Sequence, residues 1–341
     1  QRVSFSMLRL ALIGGSHVCE QYGRIAARIR NARFSAVANR DAGIAERTAR
    51  LLGAEIWTDG FDKLMSSHAA AFDAVLIHST NPSHELHCRS AAQAGRHILV
   101  ESPLAMSSRA AQSVVDECGR SGVRLMVGQI ARFWPSVQAV KESLDGGKLG
   151  QPGLLRIHRW ESLPSESSAE RSQLGTRADG TLSTIIREID LACWLFGRGP
   201  TQVFAVGRRH STAPIEDWDY VQLHLGFSNG GMVIVDYSRI LPQGDCYFSL
   251  SVIGSAGAAY ADDHHNMQLL FCGGRPSGLL TGQVDKAMLS QLQEFIDAVE
   301  QNREPIITGA DGLAAILVSE AATESIASGQ AVCLAGGRNQ P

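Results

Sequence analysis

Through the first 130 residues, short apolar runs alternate with longer segments whose apolar positions recur at helical spacing. That is the pattern of parallel strands joined by crossover helices. Strands are predicted at Leu8 to Ile13, Phe34 to Ala38, Asp73 to Ile77, His97 to Val100 and Arg124 to Val127. Helices are predicted between them at Val18 to Ile29, Ala42 to Leu52, Pro82 to Ala94 and Ser107 to Ser121, the last with Ser107 and Ser108 as caps. Right-handed crossovers then demand a twisted, doubly wound parallel sheet covered on both faces.

Beyond Gly150 the pattern changes to period-two alternation broken by Gly and Asn turns, with strands at Leu154 to Trp160, Gln202 to Arg208, Tyr220 to Phe227, Gly231 to Ser238 and Tyr247 to Ile253. Ser228-Asn229-Gly230-Gly231 is a hairpin signal. This half is expected to be an α/β domain with a large open, mainly antiparallel sheet. Its helices are predicted at Gly180 to Phe196, opened by Asp179, and at Val284 to Gln301 and Gly309 to Ser328. The polar stretch Pro164 to Asp179 is expected to be a lid or a disordered loop.

The chain has 341 residues, enough for two domains that each bury a core. A formal net charge of -3 and the absence of any long Lys/Arg run argue against nucleic acid or a membrane surface as partner. The polar start Gln1-Arg2-Val3-Ser4 and the absence of a long apolar run point to the cytoplasm. Seven scattered cysteines without a C-x-x-C pair indicate reduced core thiols. Asp262-Asp263-His264-His265 has the residue types of a metal site, but adjacent histidines diverge on a strand or a helix. It is read as a solvated turn, and no metal is expected.

The first strand ends in Gly14-Gly15-Ser16-His17-Val18-Cys19, which keeps only the first glycine of G-x-G-x-x-G. Its place after the first strand of a βα series is where a helix start meets a pyrophosphate. The second strand ends Ala38-Asn39-Arg40. Asn39 lacks the carboxylate that accepts from two ribose hydroxyls and repels a 2′-phosphate, while Arg40 offers a bidentate clamp for one. NADP is therefore the expected cofactor, with NAD as the alternative.

Asn81-Pro82-Ser83-His84-Glu85, followed by Ala94-Gly95-Arg96-His97-Ile98-Leu99-Val100-Glu101-Ser102-Pro103-Leu104, resembles the Gfo/Idh/MocA family of oxidoreductases, which reads A-G-K-H-V-x-x-E-K-P-L in the second of these stretches. Met126 to Gln129 with Arg132-Phe133, Gly147 to Gly150 and Gly180 to Gly197 extend the likeness over nearly the whole chain. The resemblance implies a dinucleotide-binding Rossmann domain over 1–130 and a substrate-binding and oligomerisation α/β domain over 131–341. It further implies a nicotinamide cofactor, a small-molecule substrate and a homodimer or homotetramer built through the open sheet. The cofactor residues expected are Gly14, Ser16, His17, Asn39, Arg40, Thr80, His84, Glu101 and Ser102.

The departures bear on chemistry. The family's proton relay has a lysine where this chain has Ser102, and an aspartate and a histidine where it has Ser183 and Arg187. Asp190 is kept, in a position equally suited to bracing the loop above it. General acid–base assistance is worth about 10²–10⁴ in rate. Serine lacks a useful pKa and arginine stays protonated, so Arg187 can anchor an anion but not shuttle a proton. The groups placed to substitute are Glu101, His84 and Glu188, then Glu161 and the 164–179 loop, with His84 equally readable as a packed histidine. Three functions fit: a reductase of a small carbonyl or imine whose anionic group meets Arg187, a cofactor-binding sensor without turnover, and non-redox lyase or hydrolase chemistry on a retained cofactor. The first is the expectation.

Overall fold

Strand β1 (Leu8–Gly14) is almost entirely buried because both faces of its sheet are covered, which is what its unbroken apolar run encodes. The computed structural model describes residues 7–15, 18–162, 185–210, 218–242, 245–262, 267–271, 277–280 and 284–334. Around β1 lie β2 (Ala32–Ala38), β3 (Ile56–Thr58), β4 (Ala74–His78), β5 (His97–Glu101) and β6 (Leu125–Gly128), in the order β3-β2-β1-β4-β5-β6. Every pairing is parallel. The crossovers are α1 (Cys19–Ala26), α2 (Ala42–Leu52), α3 (Phe61–His68), α4 (His84–Gln93) and α5 (Ser108–Ser121).

Local chemistry sets the helix starts. Asp41 caps α2 by accepting from the Ile44 N–H at 2.9 Å, and Ser107 caps α5 by accepting from the Ala110 N–H at 3.2 Å. The sequence pattern did not anticipate β3 or α3. A three-residue edge strand whose middle residue, Trp57, is exposed carries too little periodicity to stand out.

The described residues form two compact units. One runs to Ile130 and includes Asp285–Leu313, and the other holds the residues from Ala131 to Val284 and from Ala314 onward. A linear cut at 130 misses this return of the chain. The Val127 N–H donates to Ile307 O at 3.3 Å and Arg124 bonds Asn302, so the segment after α8 (Val284–Glu300) is fastened to the edge at β6.

In the second unit, α6 (Pro135–Asp145) precedes a nine-stranded sheet, in the order β14-β13-β12-β11-β7-β10-β9-β8-β15 among the described residues. Its strands are β7 (Pro152–Ser162), β8 (Gln202–Arg208), β9 (Tyr220–Gly226), β10 (Met232–Leu241), β11 (Cys246–Gly254), β12 (Ala258–Asp262), β13 (Met267–Phe271), β14 (Ser277–Leu280) and β15 (Val332–Cys333). The sheet is antiparallel except where β10 pairs with β7. The expected hairpin forms between β9 and β10, with Gly230 at φ 84, in the left-handed region that a tight turn requires.

One face of this sheet is core, with Ile157, Val235, Leu223 and Leu250 buried, and the other exposes Tyr220, Met232, Ile253 and Tyr260. Asp262, expected in a solvated turn, instead ends β12 and accepts from the Tyr247 hydroxyl at 3.1 Å, while 263–266 lie outside the described residues. The helix expected from Gly180 is described as α7 (Ile186–Phe196), and the proposed lid also lies outside the described residues. The last helix is α9 (Gly309–Ser328). Among the described residues no helix is long and apolar enough to cross a membrane.

Candidate functional site

The strand order of the first sheet reverses between β1 and β4, and the crevice outside the carboxyl ends of the strands at such a switch point is where α/β sheets bind ligands. Gly14 ends β1 at φ 76, and a Cβ there would lie 2.6 Å from the His78 carbonyl oxygen. The Gly15 N–H donates to that same oxygen at 3.1 Å. Only glycine permits this approach. Ser16 and His17 lie outside the described residues.

Along the β1–β2 side runs an open cleft of about 310 Å³, lined by Asn39, Arg40, Ile44, Phe61, Thr80 and His87 among others. Asn39 is occupied in shaping the turn: its Oδ1 accepts from the Asp41 N–H at 2.9 Å and its Nδ2 reaches Gly14 O at 3.4 Å. Arg40 is exposed and makes no ion pair among the described residues. His87 tilts over the Phe61 ring at 4.1 Å between centroids and bonds Ser79 Oγ at 2.9 Å. Burial, with smaller pushes from His84 and Arg40, holds its pKa down to about 4, so it presents a neutral ring. Phe61 and His87 were not among the expected site residues. His87 lies in the N-P-S-H-E-L-H run, but only α3, itself unanticipated, brings Phe61 to it.

Across the switch point, His78 ends β4 and Glu101 ends β5. Tyr22 Oη lies 2.6 Å from His78 Nε2, and His78 Nδ1 lies 3.7 Å from Glu101 Oε1. Gly128 pairs with Glu101 on β6, and a Cβ there would come within 3.0 Å of Glu101 Oε1. Ser102 is half-buried and joined to Pro103 by a cis peptide bond.

His84, expected among the cofactor residues and equally readable as a packed histidine, lies beneath the loops at the ends of β4 and β5. It is fully buried, with Nδ1 at 2.7 Å from Pro103 O and Nε2 at 3.0 Å from Ser79 O. Burial lowers its pKa against the pull of those two carbonyls. The ring ties the loop after β4 to the loop after β5.

In the second unit Asp190 is a brace. Its carboxylate takes a two-point bond from Arg132, at 2.7 Å and 2.5 Å, with both side chains buried and the guanidinium 5.4 Å from the Trp194 ring. Arg187, one turn earlier on α7, is half-buried and makes no hydrogen bond or ion pair among the described residues. Ser183 lies outside them.

Glu188 is buried, with Arg159 Nη1 at 3.5 Å from one carboxylate oxygen and no partner for the other among the described residues. Arg159 also bonds Glu161 at 3.2 Å, and Glu161 accepts from the Tyr237 hydroxyl at 2.7 Å. Burial pulls the Arg159 pKa down, but Glu188 and Glu161 outweigh it and raise it. Burial, then the Glu161 charge, raises that of Tyr237. Two glutamates, one of them the residue after Arg187 in the chain, therefore share the Arg159 cation.

The sequence profile described as "Oxidoreductase family, NAD-binding Rossmann fold" matches residues 8–129, and "Oxidoreductase family, C-terminal alpha/beta domain" matches 141–334. An inositol 2-dehydrogenase of Rhizobium meliloti is 27% identical over 338 residues, covering 96% of this chain and 99% of its own. An oxidoreductase from Agrobacterium radiobacter, solved with NAD+, L-tartaric acid and magnesium, superposes with a TM-score of 0.83 at 23% identity, covering 96% of this chain and 98% of its own. A levoglucosan dehydrogenase solved with NADH and levoglucosan gives 0.85 at 20% identity, covering 96% and 99%. With both halves matched in order, and with the glycine turn, switch-point crevice and open second sheet in place, the chain belongs to the Gfo/Idh/MocA family of oxidoreductases.

Proposed function

We propose that this oxidoreductase reduces a small carbonyl or imine compound bearing an anionic group, using NADPH in preference to NADH. The observation that carries the reading is the cleft at the switch point. Gly14 lines it with bare backbone packed against the His78 carbonyl, the ribose end has Asn39 in place of a carboxylate, and Arg40 is open to solvent beside it. These residues fit a nicotinamide dinucleotide: the glycine turn holds the pyrophosphate, Arg40 the 2′-phosphate, and the ends of β4 and β5 the nicotinamide side. When bound, the cofactor supplies the hydride.

The protein's own contribution is charge placement. Arg187 offers a fixed cation without an ion partner among the described residues, suited to a substrate carboxylate or phosphate. Ser102 contributes no titratable group. A substrate that arrives protonated, such as an iminium, needs the least help, and Glu161 is the most exposed carboxylate of the Arg159 cluster should a proton have to move. The exposed apolar face of the second sheet, with Met232 and Ile253 flanking Leu154 across three strands, is the surface we assign to a second copy of the chain.

Assays of NADPH oxidation over carbonyl and imine panels should find turnover, and Arg187→Ala should raise KM for the active substrate at least tenfold with a smaller change in kcat. Cofactor binding without turnover on any panel member would instead identify a sensor.

In calorimetric titration NADPH should bind about tenfold to a hundredfold more tightly than NADH, the value of one charge-assisted bond of about 1.5–3 kcal/mol. Arg40→Ala should abolish the difference, and a preference that survives it contradicts the assignment.

Sedimentation at micromolar concentration should show a dimer or larger. A monomer rules out the sheet face as a stable interface.

A further inference from the structure

Loss of hydride turns the neutral dihydronicotinamide ring into a cation, so a fixed charge beside the ring binds the two oxidation states of the cofactor unequally. With Asn39 and Arg40 taking the adenosine side, the nicotinamide end falls to the other half of the sheet, over the carboxyl ends of β4 to β6. Among the described residues, the carboxylate of Glu101, 31% exposed, is an ionisable group presented there.

Three residues fix it. Gly128 leaves the space it occupies, since a Cβ would stand 3.0 Å from Oε1. His78 Nδ1 faces it at 3.7 Å. Tyr22 bonds the far nitrogen of that ring at 2.6 Å and packs edge-on against it at 5.2 Å between centroids. Burial first, and the Glu101 charge second, keep the Tyr22 hydroxyl protonated. The arrangement that satisfies both contacts has Tyr22 donating to Nε2 and the ring proton on Nδ1 turned toward Glu101. The next residue, Ser102, is neutral, so the loop delivers a carboxylate and no ammonium.

We propose that Glu101, positioned by His78 and Tyr22, reads the charge of the nicotinamide ring. It makes the protein hold the oxidised cofactor more tightly, relative to the reduced one, than a neutral side chain would. The inference rests on the cofactor occupying this cleft as proposed above. Its consequence is a lowered potential for the bound couple. When bound, the cofactor would supply the hydride, one proton with two electrons, and the proton for the substrate oxygen or nitrogen would come from solvent, so Glu101 is asked to hold charge and not to transfer a proton. A tenfold bias in affinity corresponds to about 30 mV for a two-electron couple, favouring reduction of the substrate.

The test is a set of dissociation constants for the oxidised and reduced forms of NAD and NADP, measured by calorimetry on the full chain. The variants are Glu101→Gln, Ser102→Lys and His78→Phe, with melting temperature as the control for folding. Glu101→Gln should move the oxidised-to-reduced affinity ratio about tenfold toward the reduced form. Ser102→Lys, which adds an ammonium one residue away, should move it the same way, and it carries the test if Glu101→Gln fails to fold. His78→Phe keeps the ring packing but loses the nitrogens, so it should shift the ratio by a smaller factor in that direction. A merely structural role would weaken both forms together. If both forms bind and the ratio is unchanged in Glu101→Gln or Ser102→Lys, the proposal is overturned and the oxidoreductase reading stands. If the wild-type chain binds no nicotinamide cofactor, that reading falls and this proposal falls with it.

Discussion

The contact on which the site depends is the one between the end of β1 and the end of β4, where the backbone of Gly14 passes so close to the His78 carbonyl that no side chain fits between them. Parallel strands at a switch point lead their crossovers to opposite faces of the sheet, and the crevice this leaves is useful only if the backbone rims stay bare. The Gly15 N–H seals the join by donating to the same carbonyl. One backbone oxygen thus sets the floor of the cleft, and the side chain of the same residue points the Tyr22–His78 pair at Glu101.

Buried polar groups then hold the loops above that floor. His84 bridges the carbonyls of Ser79 and Pro103, which lie in the loops after β4 and β5. In the second unit the Arg132–Asp190 pair plays the corresponding part for α7. A buried pair of this kind adds little net stability against an apolar alternative, but breaking it by removing one partner costs about 3–5 kcal/mol, because the other charge is stranded. Such groups set position more than they add cohesion. The loop carrying Ser102 and the helix turn carrying Arg187 are each held by a buried polar neighbour.

The sequence made the βα alternation, the hairpin at Gly230 and the long closing helices legible, since each is written in local periodicity or in a residue with a special backbone conformation. It hid β3, too short to show a period, and the docking of residues after α8 on β6, which depends on contacts such as Arg124 to Asn302 across 178 positions. At the site, Gly14, Asn39 and Arg40 stood out because of where they fall relative to strand ends. Tyr22 and His78 did not. One occupies an apolar helix position and the other closes an apolar strand, and only the fold brings them together across 56 residues. Asp190 was legible as kept but not as paired, since Arg132 lies 58 positions away.

The claim at the centre of this account is that the bare backbone at Gly14 makes the cofactor cleft, and binding by a Gly14→Ala variant tests it most directly. Alanine at φ 76 adds about 1–2 kcal/mol of backbone strain and a Cβ 2.6 Å from the His78 oxygen, so the rim must shift. Calorimetric titration should show affinity for the preferred nicotinamide cofactor reduced at least tenfold, in a protein whose far-ultraviolet circular dichroism is unchanged. A Gly14→Ala protein that binds as tightly as wild type would contradict it.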